Sequence, residues 1–183
     1  MNSTIKADLY RYGGLTGTKG FLKGLRTPGF RYTWLLRKTA SSKAPLRWFY
    51  SLLKRRYYFR YQFQIPTNTK IGEGLYIGHF GRLIINEEAI IGKYCNLAAG
   101  VTIGEARRGS RKGSPIIGDY VWIGIGAVVV GKITIGSNVL IAPNAYVNTD
   151  VPPNSIVMGN PARIISKENA CEGYIEYILN PGN

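Results

Sequence analysis

From Ile71 to Val147 an aliphatic side chain returns at a spacing of six. The series is Ile71, Ile77, Ile85, Ile91, Leu97, Ile103, Ile117, Ile123, Val129, Ile135, Ile141 and Val147. The next residue is Gly in seven cases and Ala in two. Six matches neither the 3.6-residue helix period nor strand alternation, and a fixed hexapeptide repeat is the signature of a parallel β-helix. Four positions after many of these residues comes a second small or aliphatic side chain: Ala89, Cys95, Val101, Val121, Ala127, Val139 and Ala145. A three-sided prism accounts for both series, with a short strand on each face and a tight turn at each corner. Three hexads make one coil, so about five coils are expected between residues 63 and 166.

The frame slips twice. Ile77 and Ile85 are eight apart, and the two extra residues lie in Gly78-His79-Phe80-Gly81-Arg82. Ile103 and Ile117 are fourteen apart, around the apolar-poor segment 104–115. Insertions in a solenoid become surface loops and often form the binding face. After Val147, Pro152 and Pro153 are expected to end strand pairing and close the last coil. A short helix is expected over 172–179.

Residues 1–62 follow a different pattern. Phe21, Leu22 and Leu25 fit one side of a short helix between Thr16 and Pro28, and Trp48, Phe49, Leu52, Leu53 and Arg56 recur at helical spacing. Two to three helices are expected, broken at Gly13-Gly14, Pro28-Gly29 and Ser41-Ser42. The segment carries fourteen Lys/Arg against one acid, Asp8, whereas the remainder carries ten against nine, so the net charge of +14 belongs to this module. Thirteen of the 22 aromatic residues also lie here. Two readings stand together: a helical cap packing on the prism and on neighbouring subunits, and a peripheral contact with an anionic membrane. Nucleic-acid binding is the weaker reading, because no binding motif accompanies the charge.

The two cysteines, Cys95 and Cys171, have no metal-ligand spacing, and Cys95 falls in the small core series. Reduced thiols, no metal and a cytoplasmic location, extending to the inner membrane face, are the expectation. No apolar run reaches the roughly 18 residues that span a bilayer, and the N-terminus lacks the apolar core of a signal peptide.

Residues 64–166 resemble the left-handed β-helix acyltransferases of the hexapeptide-repeat superfamily, and within them the serine O-acetyltransferase branch. The resemblance rests on Lys70-Ile71-Gly72-Glu73-Gly74, His79 in its turn, Ile84-Ile85-Asn86-Glu87, Val101-Thr102-Ile103-Gly104, and Gly159-Asn160-Pro161-Ala162-Arg163-Ile164-Ile165. It runs without a gap from Gln64 to beyond Ile125. Tyr76 to Gly81 and Val139 to Ala145 are also similar to small acetyltransferases of capsule and O-antigen assembly. The implied fold is mainly β, a left-handed parallel β-helix (63–166, with loop 104–115) preceded by a basic aromatic helical module (1–62) and followed by a tail (167–183).

The resemblance places His79 at the family's catalytic position, and imidazole suits acyl transfer to a hydroxyl near neutral pH. Acetyl-CoA is the implied donor, as cosubstrate. Gly124, Ile125 and Gly126 are placed near its pantetheine arm and Arg163 near a CoA phosphate, in a homotrimer. Backbone N–H groups near Gly104 are candidate oxyanion donors. Glu87 matches a family glutamate. The family's histidine-orienting aspartate falls at Gln64, which would serve as a neutral acceptor. A second aspartate falls at Gly78, and an Arg-His pair falls at Gly113-Ser114. Those missing groups would clasp an amino acid's charges. The sequence therefore favours a neutral saccharide acceptor, with serine O-acetylation as the alternative and a non-catalytic scaffold as the rival of another class. Arg107, Arg108, Arg111, Lys112 and Ser114 are the candidate acceptor or phosphate contacts.

Overall fold

The computed structural model describes residues 1–179. Four helices lead: α1 (Ser3–Tyr10), α2 (Gly17–Gly24), α3 (Pro28–Ser41) and α4 (Leu46–Tyr61). Fourteen short strands then wind three flat parallel sheets, and β15 (Arg163–Ser166) folds back antiparallel on β14 (Ser155–Met158). The first face stacks β1 (Phe63–Gln64), β4 (Leu83–Ile85), β7 (Thr102–Gly104), β10 (Val128–Val130) and β13 (Tyr146–Val147). The second stacks β2 (Lys70–Ile71), β5 (Ile90–Ile91), β8 (Ile116–Ile117) and β11 (Thr134–Ile135). The third stacks β3 (Tyr76–Ile77), β6 (Asn96–Leu97), β9 (Trp122–Ile123), β12 (Val139–Ile141) and β14.

The hexad positions fill the axis of this β-helix. Ile77, Ile85, Ile91, Leu97, Ile103, Ile117, Ile123, Val129, Ile135, Ile141 and Val147 are buried in one continuous core, with Ile71 half-buried at its first coil. Ala89, Cys95, Val101, Val121, Ala127, Val139 and Ala145 form the second stack and are fully buried. Corners turn through left-handed backbone, at Gly100, Gly126 and Asn144 after the third face and at Tyr94, Tyr120 and Asn138 before it. Gly and Asn adopt that conformation at least cost.

Strand pairing does not end at the prolines. Pro152 and Pro153 occupy a turn, after which β14 pairs with β12 in parallel. The solenoid is closed by β15 instead. The expected tail helix is also absent: residues 168–175 form turns, with left-handed backbone at Asn169 and Gly173 breaking any helical run. The tail lies over the outer side of the third face. Tyr174 packs on Trp122 with ring centroids 5.0 Å apart, and Cys171 and Ala170 cluster with Leu140.

The N-terminal module has four helices, and Pro28 begins one of them rather than breaking it. Its missing N–H costs nothing at the first helical position. On α2 Phe21 and Leu25 pack inward as the spacing predicts, together with Gly20 and Gly24, whereas Leu22 is 60% exposed. A Cβ on Gly24 would stand 2.5 Å from Leu9, so glycine permits this approach. Tyr32 and Leu36 of α3 join the prism core, and Asp8 and Arg37 pair between the module and the first coil. The module is therefore continuous with the prism core. No residue of α4 is fully buried, and Trp48, Phe49, Leu52 and Arg56 face solvent.

Candidate active site

The first face has two edges, and the candidate residues divide between them. The turn 78–82 joins β3 to β4 at the edge where the third face meets the first. The segments Ala98–Gly100, Gly124–Gly126 and Ala142–Asn144 occupy the same edge in later coils. Backbone bonds tie these levels together: Gly100 N–H to Arg82 O at 2.6 Å, Gly126 N–H to Ala99 O at 3.0 Å and Asn144 N–H to Ile125 O at 2.9 Å. His79 is exposed in the first of these turns, beside Phe80, which is 68% exposed. Gly124, Ile125 and Gly126 stand two coils on, about 10 Å along the axis at the usual strand spacing. Arg163 begins β15 opposite Met158, at the far end of this edge, and is exposed. His79, the Gly124 to Gly126 corner and Arg163 thus line one edge.

The glycines there have a packing reason of their own. A Cβ on Gly126 would lie 2.3 Å from Asn144 Oδ1, and one on Gly124 2.6 Å from Pro143 N. Between them Ile125 is 54% exposed and offers an apolar surface. Ile125 and Arg163 could serve the apolar arm and the phosphate end of an extended donor laid along this run.

The other edge, where the first face meets the second, carries Glu87 and the inserted loop. Glu87 is exposed and its Oε1 accepts from Asn68 Nδ2 at 2.9 Å. Gly104 ends β7 at this edge. The loop folds on itself through an antiparallel bridge between Ala106 and Gly113, with N–H···O contacts of 3.0 and 2.9 Å. Arg107 pairs with Glu105 at 2.8 Å. Arg111 pairs with Asp150 at 3.1 Å, and its carbonyl accepts from Lys132 N–H at 2.9 Å. Ser114 Oγ donates to Asn86 Oδ1 at 2.9 Å. Of the four loop cations, Arg107 and Arg111 are therefore engaged within the chain, while Arg108 and Lys112 are exposed.

The structure accordingly brings His79 onto one edge with Gly124, Ile125, Gly126 and Arg163. It places Glu87, Gly104, Arg107, Arg108, Arg111, Lys112 and Ser114 on the other. Gln64 lies between the edges on the outer side of the first face, opposite Ile84 in the first coil. The turn of His79 is pinned to the entry of that strand, since Gly81 N–H donates to Tyr61 O at 3.2 Å and Leu83 N–H to Gln62 O at 3.0 Å.

Sequence reasoning passed over Asn144, whose side chain covers Gly126 on the His79 edge. Its signal was available: Asn144 holds the corner place that Gly100 and Gly126 hold below it, where only Gly or Asn sits easily. Cys95 is no nucleophile. It is fully buried, its thiol points at Gly118 O at 3.3 Å, and burial pushes its pKa up to about 12.

Residues 114–149 match the family model described as bacterial transferase hexapeptide (six repeats). The chain is 39% identical over 102 residues to a serine acetyltransferase of Synechococcus elongatus, covering 56% of this chain and 42% of that protein. It is 35% identical over 130 residues to a serine acetyltransferase of Helicobacter pylori, covering 65% of this chain and 76% of that protein. Among solved structures it is similar to Neisseria gonorrhoeae serine acetyltransferase in complex with serine. There the TM-score is 0.71 at 29% identity, over 89% of this chain and 68% of that one. The serine acetyltransferase of Brucella abortus in complex with coenzyme A superimposes with a TM-score of 0.73 at 28% identity, over 90% and 67%. At 35% identity over 76% of the Helicobacter pylori protein, and with the same coil architecture, the chain belongs to the serine acetyltransferase family of hexapeptide-repeat proteins.

Proposed function

We propose that the chain is an acetyl-CoA-dependent O-acetyltransferase whose acceptor is the hydroxyl of L-serine. The observation that carries the reading is His79 in its slipped turn, on the edge that also holds the Gly124 to Gly126 corner and Arg163. The relatives support the acceptor, since those named above are serine acetyltransferases. This corrects the order set by the sequence, which put a capsule or O-antigen saccharide first. No relative named above is a saccharide acetyltransferase.

In this reading His79 takes the proton of the acceptor hydroxyl as its oxygen attacks the acetyl carbonyl carbon. The tetrahedral intermediate then collapses, breaking the C–S bond. The imidazolium returns the proton to the departing thiolate, leaving an ester and free CoA. Ile125 lies along the pantetheine arm and Arg163 meets a phosphate of the donor. The scaffold reading fares worse, because it gives no reason for a frame slip that exposes the chain's one histidine.

The division of the candidate residues between two edges supports a homotrimer. Three copies around a closed ring set the loop edge of each chain against the His79 edge of the next. Glu87, Gly104, Arg108 and Lys112 then reach a site that one chain alone leaves half-built.

One observation favours a second reading, a neutral hydroxyl-rich acceptor such as a saccharide. Gln64, Gly78, Gly113 and Ser114 offer no charge to a zwitterion, and removing paired charges from water without partners is costly. The test is thiol release from acetyl-CoA with L-serine, with free or lipid-linked sugars, and with no acceptor, together with the mass of the product. O-acetylserine supports the first reading. Acetylated sugar with idle serine supports the second. Release with no acceptor above the blank overturns both.

A further inference from the structure

Helix α4 is turned outward in a way that a folded core does not require. Its inner side, Tyr50, Leu53, Lys54, Tyr57 and Tyr61, is half-buried. Tyr50 packs on Trp34 at 5.7 Å and Lys54 Nζ donates to Thr67 Oγ1 at 2.6 Å. Its outer side carries Trp48, Leu52 and Phe59, exposed by 73%, 68% and 65%. At 100° per residue these three fall within about 40° of one another and form a single stripe. Arg55 lies on one flank of the stripe, and Phe49, Arg56 and Arg60 lie on the other. All four are exposed. No Asp or Glu occurs between Asp8 and Glu73, and Asp8 itself is buried against Arg37.

We propose that the outer face of α4 docks the protein on an anionic lipid bilayer. An apolar stripe flanked by arginines is the arrangement of a helix lying in the membrane interface, with rings and Leu among the acyl boundary and guanidinium groups at the phosphates. Charge decides against a second copy meeting this face through its own α4. Arg55, Arg56 and Arg60 would then oppose their equivalents with no acid on the helix to offset them. The stripe decides against nucleic acid, which would satisfy the arginines and leave Leu52 and Phe59 in water. Docking also has a consequence for the site. The last turn of α4 holds the His79 turn through Tyr61 O and Gln62 O, so the candidate base lies beside the end of the docked helix. The proposal stands apart from the acceptor, because it concerns binding and not turnover.

The test is co-sedimentation of the full chain with vesicles of phosphatidylcholine, alone or mixed with phosphatidylglycerol. Oligomeric state and thermal unfolding are measured alongside. The expected result is binding to the mixed vesicles, loss of binding in about 1 M salt where charges are screened within a few ångströms, and little binding to phosphatidylcholine alone. Leu52→Ser/Phe59→Ser and, separately, Arg55→Gln/Arg56→Gln should each bind about tenfold or more weakly while unfolding like the parent. Equal binding to both vesicle types would overturn the proposal, as would undiminished binding of Leu52→Ser/Phe59→Ser. A change of oligomeric state in that variant would overturn it in favour of a second copy. Duplex DNA binding tighter than vesicle binding would overturn it in favour of nucleic acid.

Discussion

His79 and Glu87 flank opposite ends of β4, eight positions apart in sequence, on consecutive edges of the prism. The first face of the prism stands between them within one chain. If both serve one reaction, they do so across a subunit boundary. Mixing His79→Ala with Glu87→Ala chains should therefore recover part of the activity that either variant lacks alone, because some boundaries regain both groups. Steady-state thiol release from co-refolded mixtures checks this. No recovery from a mixture whose parents are both inactive would place Glu87 outside the site.

Asp8 and Arg37 fix the helical module to the first coil. Arg37 Nε donates to Asp8 Oδ2 at 3.0 Å, its Nη1 to Ile71 O at 2.6 Å and its Nη2 to Gly72 O at 2.5 Å. Asp8 Oδ1 accepts from Leu75 N–H at 3.0 Å. Removing one member leaves a buried charge uncompensated, at a cost of about 3–5 kcal/mol. Asp8→Ala should lower the unfolding midpoint by roughly 10 °C or more. Asp8→Leu/Arg37→Met should lose much less than the two single variants together. Additive losses in calorimetry would mean that the pair is not coupled.

The repeat was legible because every hexad residue faces one axis, so a single spacing encodes all three faces. The corners were half legible: Gly100 and Gly126 sit in the pattern, yet Tyr94 and Tyr120 adopt the same left-handed backbone. No propensity rule points to tyrosine there. The site was legible as two breaks in the frame and only in part as geometry. Counting hexads three to a coil already puts the two breaks at different edges, but does not say which side chains each edge exposes or how the loop folds on itself. The module's exposed side was hidden for a related reason. The helical spacing of Trp48, Phe49 and Leu52 is the same for a face turned inward as for one turned out. The tail was misread because Asn169 and Gly173 break the helix with left-handed backbone while Asn138 Oδ1 holds Cys171 N–H at 3.1 Å.

Loop 104–115 is tethered by Asp150. Its carboxylate accepts from Thr134 N–H and from Arg111, and these contacts hold its pKa below the usual carboxylate value, the backbone bond contributing most. Because the folded value is depressed, the tether is fully present above the unfolded carboxylate value and is lost as pH falls through the folded one. Hydrogen-exchange protection at Ala106 and Gly113, corrected for intrinsic rates, should therefore drop in acid. Asp150→Asn should show part of that drop at neutral pH. Protection unchanged in Asp150→Asn would assign the loop's order to its own antiparallel bridge.

Both cysteines should be silent in the folded protein. Burial pushes the Cys95 thiol up to about 12 and raises that of Cys171 as well. A thiol-reactive disulfide reagent at pH 8 is expected to label neither in the native state and both after denaturation. Fast labelling of one thiol in the native protein would show that the core or the tail opens readily.

The central claim is that His79 is the base for acetyl transfer to a hydroxyl. The most direct measurement is kcat for thiol release from acetyl-CoA with saturating L-serine, compared between the native chain and His79→Ala at matched folding. We expect O-acetylserine from the native chain and a fall of about 10²–10⁴-fold in the variant. Turnover by His79→Ala within a few-fold of the native chain would contradict the account.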